Sequence, residues 1–239
     1  MAFETLRRTA TGAEARSVGI DLGLRSYMLR VYNYMGSGLA LTGIVAMLVA
    51  SNEALMQTLF NSGLMWVVLL APLGLVLLLS FRIQKMSLGA VQATFWGYAA
   101  LMGASLAPIF VVYTGASIAR TFFICAATFA GMSLYGYTTK KDLSGIGSFL
   151  IMGLWGLILA GLVNLFLQSS MLQFVISAAG VLIFTGLTAW DTQKIKEMYL
   201  EADGHEIAGK KAVMGALALY MDFLNLFLML LRFFGERRD

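Results

Sequence analysis

The sequence is poor in charge. Only 13% of its 239 residues are Asp, Glu, Lys or Arg, about half the share of about 25% that a soluble domain carries. So few charges exclude an ordinary water-facing globular surface. Proline is scarce as well, at 2 residues, and there is one histidine and one cysteine. The lone Cys125 lies inside an apolar run, so it excludes an intrachain disulfide and reads as a buried, inert thiol. The lone His205 sits in the polar stretch EADGHEIAGKK and reads as a solvated loop residue. A cleavable secretory signal is missing too. Residues 1–30 hold Arg7, Arg8, Arg16, Arg25 and Arg30 with Glu4, Glu14 and Asp21, and no apolar core precedes the first hydrophobic span. That segment reads as a short, partly ordered cytoplasmic tail; three acids are too many for a mitochondrial transit peptide.

What the chain does have is hydrophobic mass: 59% apolar residues, 25 Gly and a mean hydropathy of +0.78. About 20 apolar residues cross the hydrocarbon core as a helix. Seven such stretches are predicted, at 31–50, 64–81, 90–109, 117–137, 148–167, 171–190 and 213–234. Pro72 falls within the second and Pro108 closes the third. The fold class is therefore an all-α polytopic membrane protein: a tail over 1–30, one transmembrane domain over 31–235 and a short tail over 236–239. The expected surroundings are a lipid bilayer, and nothing in the chain points to nucleic acid.

Basic residues set the topology. Arg7, Arg8, Arg16, Arg25, Arg30, Arg82, Lys85, Lys140, Lys141, Lys194, Lys196, Lys210 and Lys211 fall on one side of the predicted membrane. Arg120, Arg232, Arg237 and Arg238 fall on the other. The positive-inside bias places the N-terminus in the cytoplasm and, by parity, the C-terminus outside. The basic C-terminal tail is dissonant with this, and a last segment that dips in and returns stays open as an alternative. Gly36, Ala40 and Gly43 in GSGLALTG, and Gly156 with Ala160 in GLWGLILAG, are spaced as helix-contact positions. The four tryptophans, Trp66, Trp96, Trp155 and Trp190, read as belt or packing residues. Asn164 is placed to bond a neighbouring helix.

Two acids stand apart. ALALYMDFLNLFLMLLRFFG, residues 216–235, carries Asp222 in mid-span, where an Asp costs about 2.5–3.5 kcal/mol on insertion scales. FTGLTAWDTQKIK places Asp191 where the sixth span ends. If these face each other they form a close carboxylate pair that cannot ionise twice cheaply and titrates as a unit. The depths differ, so they meet only if the sixth helix continues past Asp191 or the seventh enters the membrane later than drawn. Good helix formers in DTQKIKEMYLEA favour continuation. An Asp191 that merely caps a helix start is the plainer alternative.

WDTQKIK, ALYMDFLNLFLMLLRFFG and TTKKDLSGIGSFL together resemble the transmembrane Bax inhibitor motif family (Bax inhibitor-1 family), in its bacterial members. Two positions depart from the usual pattern: Trp190 stands where Tyr is usual, and LYMD replaces an LYLD-type element. The resemblance implies a seven-helix bundle whose last helix is central and wrapped by the other six. It implies a pH-sensitive calcium leak gated by Asp191 and Asp222, with Arg82 in LLLSFRIQKM latching onto Asp191. It implies no enzyme activity and no tightly bound cofactor; calcium is the transported ion, with Asp191 and Asp222 as its weak, transient ligands. Asn225, Thr188 and Thr192 are the further oxygens nearby. A bacterial inner membrane fits the short tails. Two other readings stand beside the leak. One is a non-conducting regulator that binds another membrane protein, such as a membrane-bound protease. The other is an intramembrane aspartyl protease, although the Gly-x-Gly-Asp signature is missing before Asp222.

Overall fold

The computed structural model describes residues 2–238, with side chains from Leu22 onward. Among these residues nine α-helices follow one another: α1 (Ala2–Ala50), α2 (Glu53–Phe60), α3 (Leu64–Arg82), α4 (Leu88–Leu106), α5 (Ile109–Val112), α6 (Gly115–Thr138), α7 (Ser144–Leu167), α8 (Ser170–Glu197) and α9 (His205–Phe234). Seven segments are long and apolar enough to cross a bilayer: Leu22–Ala50, Leu64–Lys85, Leu88–Val112, Gly115–Thr138, Ser144–Leu167, Ser170–Glu197 and His205–Phe234. Each contains one of the seven predicted spans. Several starts are fixed by hydroxyl caps. Ser87 accepts from the Ala90 amide, Thr114 from Ser117 and Ser169 from Leu172, at 3.3, 3.3 and 3.2 Å.

The ends differ from the sequence reading. Helix α1 reaches back to Ala2, so the N-terminal segment is helical and continuous with the first span. The side chains of Arg7, Arg8, Arg16, Glu4, Glu14 and Asp21 lie outside the described residues. Helix α8 runs on to Glu197 and α9 begins at His205, so the linker drawn over 191–212 shrinks to residues 198–204. His205 opens a helix rather than sitting in a loop.

The last helix is the centre of the bundle. Of the most apolar stretch of α9, 67% is buried, against 6% to 33% for the other six spans. A helix that is apolar all round belongs in the interior, and α9 buries residues on nearly every side from Ala212 to Leu231. Helices α1, α4, α6 and α8 pack on it directly; α3 backs α4 and α7 backs α8. Trp66 on α3 and Trp155 on α7 face outward, each 63% exposed, whereas Trp96 and Trp190 pack against the core.

The contact glycines are not the predicted ones. Gly36, Gly43 and Gly156 would admit a Cβ with nothing within 4 Å. The close approaches occur elsewhere. A Cβ at Gly136 would collide with the Ala189 carbonyl oxygen, where α6 meets α8. At Gly147 it would collide with the Trp190 ring, so Gly147 makes the room for that bulky residue. The C-terminus lies at the end of the bundle opposite the 198–204 loop, because α9 is a single unbroken helix of 30 residues. This removes the dipping alternative. The tail is fastened there: the Thr114 amide donates to Glu236 O (3.0 Å), Arg238 N to Val112 O (2.9 Å) and Glu236 N to Ser117 Oγ (2.9 Å).

Candidate functional site: a carboxyl pair between the last two helices

Helices α8 and α9 are sequence neighbours joined by seven residues, so they run antiparallel. Their register is set by two close approaches. Gly215 lets Ile195 in at one end, where an added Cβ would meet Ile195 Cγ2 at 2.9 Å. Gly180 admits the Met229 side chain at the other, at 2.8 Å. Between these points Asp191 and Asp222 face each other, with their carboxyl groups within hydrogen-bonding reach. The longer α8 and the earlier start of α9 resolve the mismatch in depth. Asp222 now lies about 25 Å along α9 from His205 and about 18 Å from Phe234, deep within the last span.

Asp222 is 6% exposed, and its Oδ2 is fully buried with no N–H or hydroxyl donor among the described residues. An ionised carboxylate can only accept. The contact between the two acids therefore needs a proton, carried by one carboxyl and accepted by the other. Lys194 is the cation near Asp191, and its Nζ rests over the Trp190 ring, 4.9 Å from the centroid.

The other predicted oxygens lie within about one helical turn of the two acids along α8 and α9, and are partly engaged. Thr188 donates to Phe184 O at 2.8 Å and Thr192 to Thr188 O at 2.7 Å. Asn225 donates to Met221 O at 2.9 Å. The two threonines keep acceptor capacity only; Asn225 keeps its carbonyl oxygen and a second amide N–H. Among the described residues no three His, Cys, Asp or Glu side chains stand together as a metal centre.

Arg82 is not at this site. It ends α3 with an exposed side chain and forms no ion pair with Asp191. The physical reason is placement: α3 packs on α4, whereas the acids sit between α8 and α9. Sequence reasoning missed Gln193. Its side chain bridges α8 to the 139–143 loop, accepting from the Leu143 amide at 2.8 Å and donating to Lys141 O at 2.9 Å. The only signal was its position two residues after Asp191. Asn164, in contrast, does reach its neighbour, donating to Gln173 of α8 at 3.3 Å.

The family described as "Inhibitor of apoptosis-promoting Bax1" matches residues 24–239, nearly the whole chain. The chain belongs to the Bax inhibitor-1 family. Relatives cover about nine-tenths of it. A Rickettsia prowazekii protein is 52% identical, over 92% of this chain and 93% of the relative. The inner membrane protein YbhL of Escherichia coli K12 is 49% identical, over 90% and 94%. YrjE of Lactococcus lactis is 38% identical, over 89% and 92%. This member of the Bax inhibitor-1 family is thus a multi-pass membrane protein, and its acid pair occupies the seam between its last two helices.

Proposed function

We propose that the protein is a pH-sensitive cation leak, with calcium as the transported ion and the Asp191–Asp222 pair as its gate. One observation carries the reading: a buried carboxyl oxygen of Asp222 that meets no N–H or hydroxyl donor, beside the carboxyl group of Asp191, so that one proton decides the charge of the pair. Intramembrane acids mark ion pathways by default. The oxygens around the pair suit a hard cation held weakly, since calcium wants six to eight of them. Calcium itself is taken from the family resemblance. The membrane is proposed to be a bacterial inner membrane, as in the printed name of the E. coli relative. The distribution of Lys and Arg puts the N-terminus in the cytoplasm.

Arg82 enters as a latch of the other charge state. It ends α3 on the membrane face that also carries the 198–204 loop. When the shared proton leaves, two carboxylates repel each other and draw in the guanidinium from the end of α3. Arg82 then holds α3 across the site and closes it; acid releases it.

The test is calcium flux into liposomes holding the pure protein, read from pH 8 to pH 6. Flux rises as the pH falls. Asp191→Asn removes the latch and makes flux high at both ends. Arg82→Ala raises it at pH 8. Asp222→Asn leaves Asp191 ionised and latched, and keeps flux low. Flux that ignores both aspartates in folded protein would sink the gate.

A further inference from the structure

Helices α1 and α6 do not close against each other at the membrane face that carries the 139–143 loop. A groove of about 490 Å³ opens between them. Leu29 from α1 and Phe129, Ala130 and Leu134 from α6 make its walls. Leu29 and Leu134 are 52% and 63% exposed. The floor is polar in composition but spent. Tyr32 and Ser133 share a hydrogen bond of 2.6 Å, and Ser133 and Thr192 one of 3.0 Å.

The rim is different in kind. Arg25 lines one end of the groove, three residues inside the first span, and Tyr137 stands across from it. Lys196 Nζ is fixed beside Tyr137, donating to its carbonyl at 2.8 Å. From Arg25 to Tyr32 the groove runs about 10 Å along α1, most of the about 15 Å depth of one leaflet's hydrocarbon. The groove is therefore apolar where acyl chains lie and cationic where headgroups lie. Guanidinium pairs with phosphate in a fork, and basic pockets between transmembrane helices select anionic lipids.

We propose that this groove is a binding site for one anionic phospholipid, its acyl chain against Leu29, Phe129 and Leu134 and its phosphate at Arg25. The site is independent of the leak reading. What separates it from the apolar flanks of α3 and α7 is that here the cation lines the same groove as the apolar walls.

The test is native mass spectrometry of the full chain in micelles titrated with phosphatidylglycerol or phosphatidylcholine. One phosphatidylglycerol is expected to be retained about fivefold or more tightly than phosphatidylcholine. Arg25→Gln brings the two lipids level. Ala130→Trp fills the groove and lowers retention of both; Ala130 is exposed, and an unchanged melting temperature verifies the fold. Arg30→Gln, which meets Arg25 in a separate shallow cleft on the outer face of α1 and does not line the groove, leaves the preference intact. Equal retention of the two lipids by the unmodified protein would overturn the site. So would an equal loss from Arg25→Gln and Arg30→Gln, which means diffuse surface charge, or a dimer whose groove carries no lipid.

Discussion

Tyr220 shows how single groups are handled in the interior of the bundle. Its ring is fully buried among Phe95 and Tyr98, and its hydroxyl lies 2.6 Å from Thr42 Oγ1. Thr42 in turn donates to the Ala99 carbonyl at 2.8 Å, so the tyrosine is the donor of the shared bond. Removing the donor costs less than stranding it. Tyr220→Phe is expected to cost about 0.6 kcal/mol, the average for a hydrogen bond between membrane helices. Thr42→Val leaves a buried hydroxyl with no partner and is expected to cost about 1–3 kcal/mol. Thermal unfolding of the two variants in one detergent gives the order; a milder effect for Thr42→Val would contradict it. The same reasoning applies to the acids. Asp222 is tolerated deep within the last span because a second carboxyl answers it.

At the scale of elements, Gln193 holds the α6–α7 corner onto α8. Gln193→Ala leaves the buried Leu143 amide without an acceptor and is expected to cost about 1–3 kcal/mol. Faster deuterium exchange at residues 141–143, with the rest of the bundle unchanged, is the sign to look for. The helices themselves were readable in the sequence, because hydropathy over about 20 residues reports burial in lipid directly. Their ends were not. Residues 191–197 and 205–212 are polar enough to look like loop, yet they continue the two helices beyond the predicted spans. The acid pair was readable as two residues and a question of depth; those extra helical turns answer it. Small-residue spacing misled at Gly36, Gly43 and Gly156, since a four-residue interval names a helix face and not which face meets a neighbour. Gly136 and Gly147 are contact sites because of what stands opposite them, the Ala189 carbonyl and the Trp190 ring, which no local pattern encodes. Arg82 was placed by span order alone, and span order does not say which helix packs beside which.

For the molecule as a whole, an odd number of spans puts the two termini on opposite faces. The buried Cys125 makes this simple to check, because the protein's own thiol is silent to maleimide in the folded state. In sealed vesicles of one orientation, cysteines introduced by Asn61→Cys and Asp142→Cys are expected to react from opposite sides. Reaction of both from the same side would refute the seven-span arrangement. The central helix is tethered at each extremity. At one, Lys211 Nζ holds Asp203 at 2.6 Å and the Met198 carbonyl at 3.0 Å. At the other, the strap of residues 235–238 is bonded to the corner at 112–117. Such a helix is an axle and not a piston: sliding it lengthwise would break both moorings at once. Under the proposed leak, opening must therefore swing an outer helix about a stationary shaft, and α3, which carries Arg82 and packs chiefly on α4, is the member placed to do so.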